Sequence, residues 1–247
     1  MKLNGDVVLV TGSTRGIGKA IALLLARHGA RVVLNYKKSD EDCAEVERQI
    51  KSLGGLPPLV CRADVTNPDE FRAMIDRVVN EWGRLDALVN NADDDRFINE
   101  EPTAIDERDW HLIIQGALYS VYYGCKYAIR VMRRQGGGRI VNIGAAGDSD
   151  YTLASICLPY YLAKGGVRTL TKILAAGEAK NNILINCVSP GFIDNYEYDE
   201  NLRLEVEKRI PCGRLGTPEE VAKVVLFLVG GDISYIQGEN LNVAGGI

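Results

Sequence analysis

The sequence predicts an α/β fold: one doubly wound parallel sheet of about seven strands, with helices on both faces. Three observations predict it. Short β-branched runs recur along the chain and are apolar at successive positions, as strands buried on both faces require. Longer stretches of helical periodicity, with their own start and stop signals, separate those runs. Strand then helix, repeated about six times, winds into a parallel sheet through right-handed crossovers. No linker, internal repeat or low-complexity tract interrupts the alternation, so residues 1–247 read as one domain.

Taken in order, strands are expected over residues 7–10, 32–34, 59–61, 85–89, 140–143, 183–188 and 241–243. The first helix stops at His28-Gly29, because glycine enters the left-handed conformation without strain. Thr66-Asn67-Pro68-Asp69-Glu70 starts another: an asparagine cap, proline at the first helical position and a glutamate three residues after the cap. Thr217-Pro218-Glu219-Glu220 repeats that logic, and Pro159 suits the start of a further helix. Gln135-Gly136-Gly137-Gly138 is too short for a domain linker and joins a helix to a strand.

Composition excludes several classes. With 46% hydrophobic and 25% charged residues the chain is globular. Lys and Arg total 29 against 33 Asp and Glu, a net charge of −4, which removes a nucleic-acid binder. No apolar run approaches the ~18 residues that span a bilayer, and the N-terminus lacks the pattern of a secretory leader. A soluble, cytoplasmic protein is expected. The six cysteines, at 43, 61, 125, 157, 187 and 212, form no CxxC pair, and His28 and His111 stand apart from them. They read as single buried thiols, without a disulfide frame or a metal site.

Ligands of such sheets bind beyond the carboxyl ends of the strands. The first such end is Thr11-Gly12-Ser13-Thr14-Arg15-Gly16-Ile17-Gly18, a strand-to-helix turn. Its glycines let the backbone approach a pyrophosphate, and the free N–H groups of the helix start favour negative charge. Gly12, Thr14, Arg15, Gly16, Ile17 and Gly18 are therefore candidate contacts of a dinucleotide. An acid at the end of the second strand would hold a ribose 2′-hydroxyl and repel a 2′-phosphate. Asn35-Tyr36-Lys37-Lys38 stands there instead, with Arg15 facing it, so Tyr36 and Lys37 point to NADP(H) ahead of NAD. The competing reading takes Lys37 and Lys38 as solvated surface charges.

Together with Asp64-Val65, Asn90-Asn91-Ala92, Tyr160-x3-Lys164, Ser189-Pro190-Gly191-Phe192-Ile193 and the ending Asn242-Val243-Ala244-Gly245-Gly246, this loop resembles the short-chain dehydrogenase/reductase family along the whole chain. The similarity is greatest to the β-ketoacyl-acyl-carrier-protein reductases. It implies a single Rossmann-type domain, usually a homotetramer, that reduces a small-molecule carbonyl substrate with NAD(P)H. It also implies that Asp64 and Val65 meet the adenine, and Asn91 and Ala92 the adenosine ribose side. Pro190 and Gly191 would also contact the cofactor, and Ile193 the nicotinamide amide. Tyr160 would be the general acid/base, and Lys164 would also bind the nicotinamide ribose.

The chemistry of that pair is intelligible on its own. An unperturbed tyrosine has a pKa of about 10, too high for easy proton exchange at neutral pH. A lysine at i+4 lies on the same helical face and favours the phenolate. Tyr122 and Lys126 share the spacing but fall well inside the helix after the fourth strand, so that pair reads as structural.

Several positions depart from the family pattern. Ala145 stands at the place of the catalytic serine and Ala117 at that of the asparagine; Gln115 and Ser120 sit off the asparagine position, and Ser149 is the nearest replacement hydroxyl. Asp93, followed by Asp94 and Asp95, replaces a glycine and adds negative charge near the diphosphate path. Asn195 replaces a threonine after Ile193, and Ala244 an aspartate. A slow or specialised reductase is expected, the alternative being a non-catalytic relative that binds nucleotide or acts as an oligomeric partner. Residues 195–213 would form a substrate lid whose acidic start repels anionic head groups. Arg133, Arg134 and Arg139 would form a basic cluster able to meet an acidic acyl carrier protein.

Overall fold

In the computed structural model, seven strands pair in parallel in the order β3-β2-β1-β4-β5-β6-β7. They are β1 Val7–Val10, β2 Arg31–Tyr36, β3 Leu59–Arg62, β4 Ala87–Asn90, β5 Gly138–Ile143, β6 Ile183–Pro190 and β7 Asn240–Val243. The structure describes residues 2–93, 101–147, 157–195, 200–231 and 233–247. All seven expected strands are present. The fourth starts at Ala87 rather than at residue 85. Gln135 explains the difference: its Nε2 donates to Leu85 O at 2.8 Å and its Oε1 accepts from Leu85 N at 3.1 Å. Leu85 is buried in the core, which gives it the pattern of a strand residue, but its backbone pairs with that side chain.

The pleat divides the core in two. Val8 and Val10 face α1 (Gly16–Arg27), α2 (Asp40–Ser52) and α8 (Pro218–Val229). Val7 and Leu9 face α3 (Pro68–Trp82), α5 (Ser120–Gln135) and α6 (Leu158–Glu178). α4 (Glu107–Ile114) and α7 (Glu200–Arg209) lie in the connections after β4 and β6. The local signals work as read: Asn67 Oδ1 accepts from Asp69 N and Glu70 N, Thr217 and Glu220 close a capping box, and Gly29 takes φ +93°.

Winding runs one way from β1 through β3 and the other way from β4 onward. The order therefore reverses between β1 and β4, and a crevice opens at their carboxyl ends. Five cysteines are buried as expected, but Cys212 is exposed. It lies in the turn between α7 and α8, where its Sγ reaches Arg214 O at 3.6 Å. Among the described residues, no helix is long and apolar enough to cross a membrane.

Candidate functional site

Two turns meet in the crevice, one after β1 and one after β4. Thr11 Oγ1 accepts from the backbone N–H groups of Asn91 and Ala92, both at 2.9 Å. Asn91 Nδ2 returns bonds to Thr11 O at 2.9 Å and Gly12 O at 3.1 Å. A Cβ on Gly18 would stand 2.2 Å from Gly12 O, and one on Gly12 3.0 Å from Ala92 Cα, so the loop tolerates no side chain at either position. The side-chain nitrogen of Asn91 thus shapes the glycine loop.

α1 starts in this loop with Arg15 as its N-cap residue, without a side-chain cap bond and without an acid in its first turn. α3, α4 and α8 all carry both. The first N–H groups of α1 are left for an anion, and this fits a diphosphate. Thr14 lies in the turn, and Ile17 packs down onto the core. Asn195 comes over the loop from beyond β6, its Nδ2 3.5 Å from a Cβ built on Gly16.

At the ends of β2 and β3, Asn35 is buried and holds the loop, accepting from Gly12 N at 3.2 Å and donating to Ala63 O at 3.1 Å. Tyr36 donates its hydroxyl to Asp40 at 2.6 Å, and that bond raises its pKa. Lys37 Nζ lies 2.5 Å from Asp64 Oδ2. Burial alone would raise the Asp64 pKa, but hydrogen bonds from Lys37 and Thr66 outweigh it and hold the carboxyl below its ordinary range. The sequence shows no acid at the end of β2; the parallel pairing of β2 with β3 brings one there. Val65 is turned into the core.

Pro159 lies in the first turn of α6, which presents Tyr160 and Lys164 at the end of β5. The Lys164 ammonium sits 5.4 Å from the Tyr160 ring centroid and donates to Ile143 O at 3.0 Å. Asp93 Oδ2 lies 2.6 Å from the same ammonium. The Lys164 side chain is 3% exposed and that of Asp93 18%. Asp93 thus closes an ion pair with the lysine at the end of β5. Pro190 ends β6, Gly191 packs against Ala244, and Ile193 is buried beside Gly216.

Ala145 and Ala117 are both buried and offer only methyl groups. Ala117 lies in a π-helical turn, Gln115–Tyr119, inserted between α4 and α5. Gln115 Nε2 is directed to Thr66 O at 3.5 Å, and Ser120 Oγ donates to Gly116 O. Tyr122 is exposed with Lys126 over its ring, a surface pair. Ser149, Asp94, Asp95 and the tyrosines 196 and 198 lie outside the described residues.

The family model described as enoyl-(acyl carrier protein) reductase matches residues 12–247. A 3-oxoacyl-(acyl-carrier-protein) reductase of Thermotoga maritima is 36% identical over 100% of this chain and 99% of its own. The enzyme of that name from Vibrio cholerae gives the same identity over the same shares. The solved structure of a short-chain type dehydrogenase/reductase from Mycobacterium marinum superposes with a TM-score of 0.91 at 32% identity, over 99% of this chain and 95% of that one. The chain belongs to the short-chain dehydrogenase/reductase family. It is an oxidoreductase of the nicotinamide-cofactor class.

Of the three arginines expected to form a basic cluster, Arg133 pairs with Glu178 and Arg139 donates to Ile233 O at 2.8 Å. The segment after β6 holds a helix, α7, tied down by Arg203 to Asp194 at 2.9 Å and by buried Val206 and Ile210. The Asp93–Lys164 pair and the π turn have no counterpart in the sequence reading. A carboxylate after Ala92 was visible as a departure, but its partner was not.

Proposed function

We propose that the protein is a slow or specialised NADP(H)-dependent reductase of a carbonyl compound. The names of its relatives support a 3-oxoacyl thioester as the substrate class, delivered on an acyl carrier or a simpler thiol. The observation that carries the reading is the Tyr160–Lys164 pair, held at the end of β5 beside a glycine loop whose helix has no side-chain cap. The bound nicotinamide would supply the hydride. Gly12, Gly16 and the first N–H groups of α1 would bind the diphosphate, and Arg15 and Lys37 would face the adenosine 2′-phosphate. Tyr160 would donate its phenolic proton to the carbonyl oxygen, with the positive charge of Lys164 favouring the phenolate that remains. Removing one donor to a developing oxyanion costs about 10²–10³ in rate, and Ala145 and Ala117 supply none.

Fluorescence titration with NADPH, with NADH as control, tests the reading. The expected result is micromolar binding with NADPH preferred, and slow thioester-dependent NADPH oxidation that Tyr160→Phe abolishes. Binding without turnover over a broad carbonyl panel would favour a non-catalytic nucleotide binder instead, the reading that the two buried alanines support. We further infer a cytoplasmic homotetramer. Tyr119 is exposed in the π turn, Tyr122 on α5, Leu162 and Ile173 on α6, and Phe227 and Tyr235 on α8 and the segment after it. Sedimentation equilibrium reads the mass directly.

A further inference from the structure

We propose that Asp93 is a positioning residue that locks Lys164, so that the dinucleotide must displace its carboxylate in order to bind. The inference rests on the reading of the crevice as a cofactor site. Lys164 is almost fully buried, and an ammonium withdrawn from water needs a counter-charge. Asp93 Oδ2 provides it at 2.6 Å, while Ile143 O takes a second donor at 3.0 Å. An ammonium has three donors, so two are engaged before any ligand arrives. The Tyr160 ring stands beside the same nitrogen, its centroid 5.4 Å away.

Charge acts in the same direction as geometry. The Asp93 carboxylate neutralises the buried Lys164 ammonium, so the lysine offers an incoming ligand no net positive charge. A ligand that needs Lys164 binds only the fraction of molecules in which the lysine is released, and its apparent affinity falls by that fraction. Asp93 is therefore expected to stabilise the unliganded protein and to weaken its hold on the cofactor.

Opposite signs make the proposal testable. Asp93→Asn keeps the shape and removes the charge; Asp93→Gly removes the side chain and covers the case in which the asparagine variant misfolds. Each is compared with the wild type in an NADPH titration and in a thermal melt without ligand. The expected result is affinity for NADPH tighter by ~10-fold or more, a KM for NADPH that falls with it, and a lower unliganded melting temperature. A merely structural role lowers melting temperature and affinity together. NADPH bound by the variants and not by the wild type also supports the lock. Equal or weaker binding by both variants overturns it and leaves the cofactor reading intact. No dinucleotide bound by any of the three proteins removes the cofactor reading, and the lock falls with it.

Discussion

Ala145 puts a buried methyl group at the end of β5, at the place where the family resemblance expects a serine hydroxyl. On the proposed reading, Tyr160 would polarise and protonate the carbonyl alone. Ala145→Ser adds one oxygen at the edge of an existing crevice, so the fold should accept it. We expect kcat with NADPH and a 3-oxoacyl thioester to rise by about ten- to a hundredfold, below the 10²–10³ ceiling for one oxyanion donor. The Kd for NADPH should stay unchanged, because the serine would touch substrate and not cofactor; an unchanged kcat would put the deficit elsewhere. The pair that makes this argument possible was legible, since Tyr160 and Lys164 are i, i+4 on one helix. The carboxylate that meets Lys164 was not. Asp93 follows β4 and Lys164 lies in the second turn of α6, beyond the neighbouring β5, and only the assembled sheet brings them together.

Capping signals were the part of each element that could be read directly, because both partners of a cap lie within four residues. At the start of α8, Thr217 Oγ1 accepts from Glu220 N at 3.3 Å and Glu220 Oε2 accepts from Thr217 N at 2.9 Å. That helix carries Val221, Val225 and Leu228 into the core shared with α1. Thr217→Ala should therefore cost about 1 kcal/mol, read as a lower urea midpoint at unchanged m-value. A change in m would mean that α8 had come away altogether. Other elements were less legible. The π turn Gln115–Tyr119 sits between two α-helices with no cap residue of its own to announce it. The start of β4 was masked as well, because Leu85 is buried while its backbone bonds to a side chain.

Across the whole molecule the carboxylates pull stability in two directions as pH changes. Glu220 is held down to about 2 by Arg214 and by the Thr217 backbone bond. The hydrogen bond from Arg133 lowers Glu178, and Asp64 is lowered as described above. A group lowered in the folded state contributes stability in full above its unfolded value, and loses it as pH falls through its folded value. Asp6 runs the other way. Burial raises its pKa above 3.8, and Asp86 adds to the effect, against Arg84 and Arg139. Its ionisation is a folded-state penalty that is complete above the raised value and absent below 3.8. Asp6→Asn removes the penalty while leaving the backbone bond from Asp6 N to Leu3 O in place. The variant should melt higher than the wild type at neutral pH, by less than ~1 kcal/mol because the group is partly solvated. Melts repeated below pH 3.8 should superimpose, since the carboxyl is then neutral in both states. A gain that persists there would assign the stabilisation to packing and not to charge.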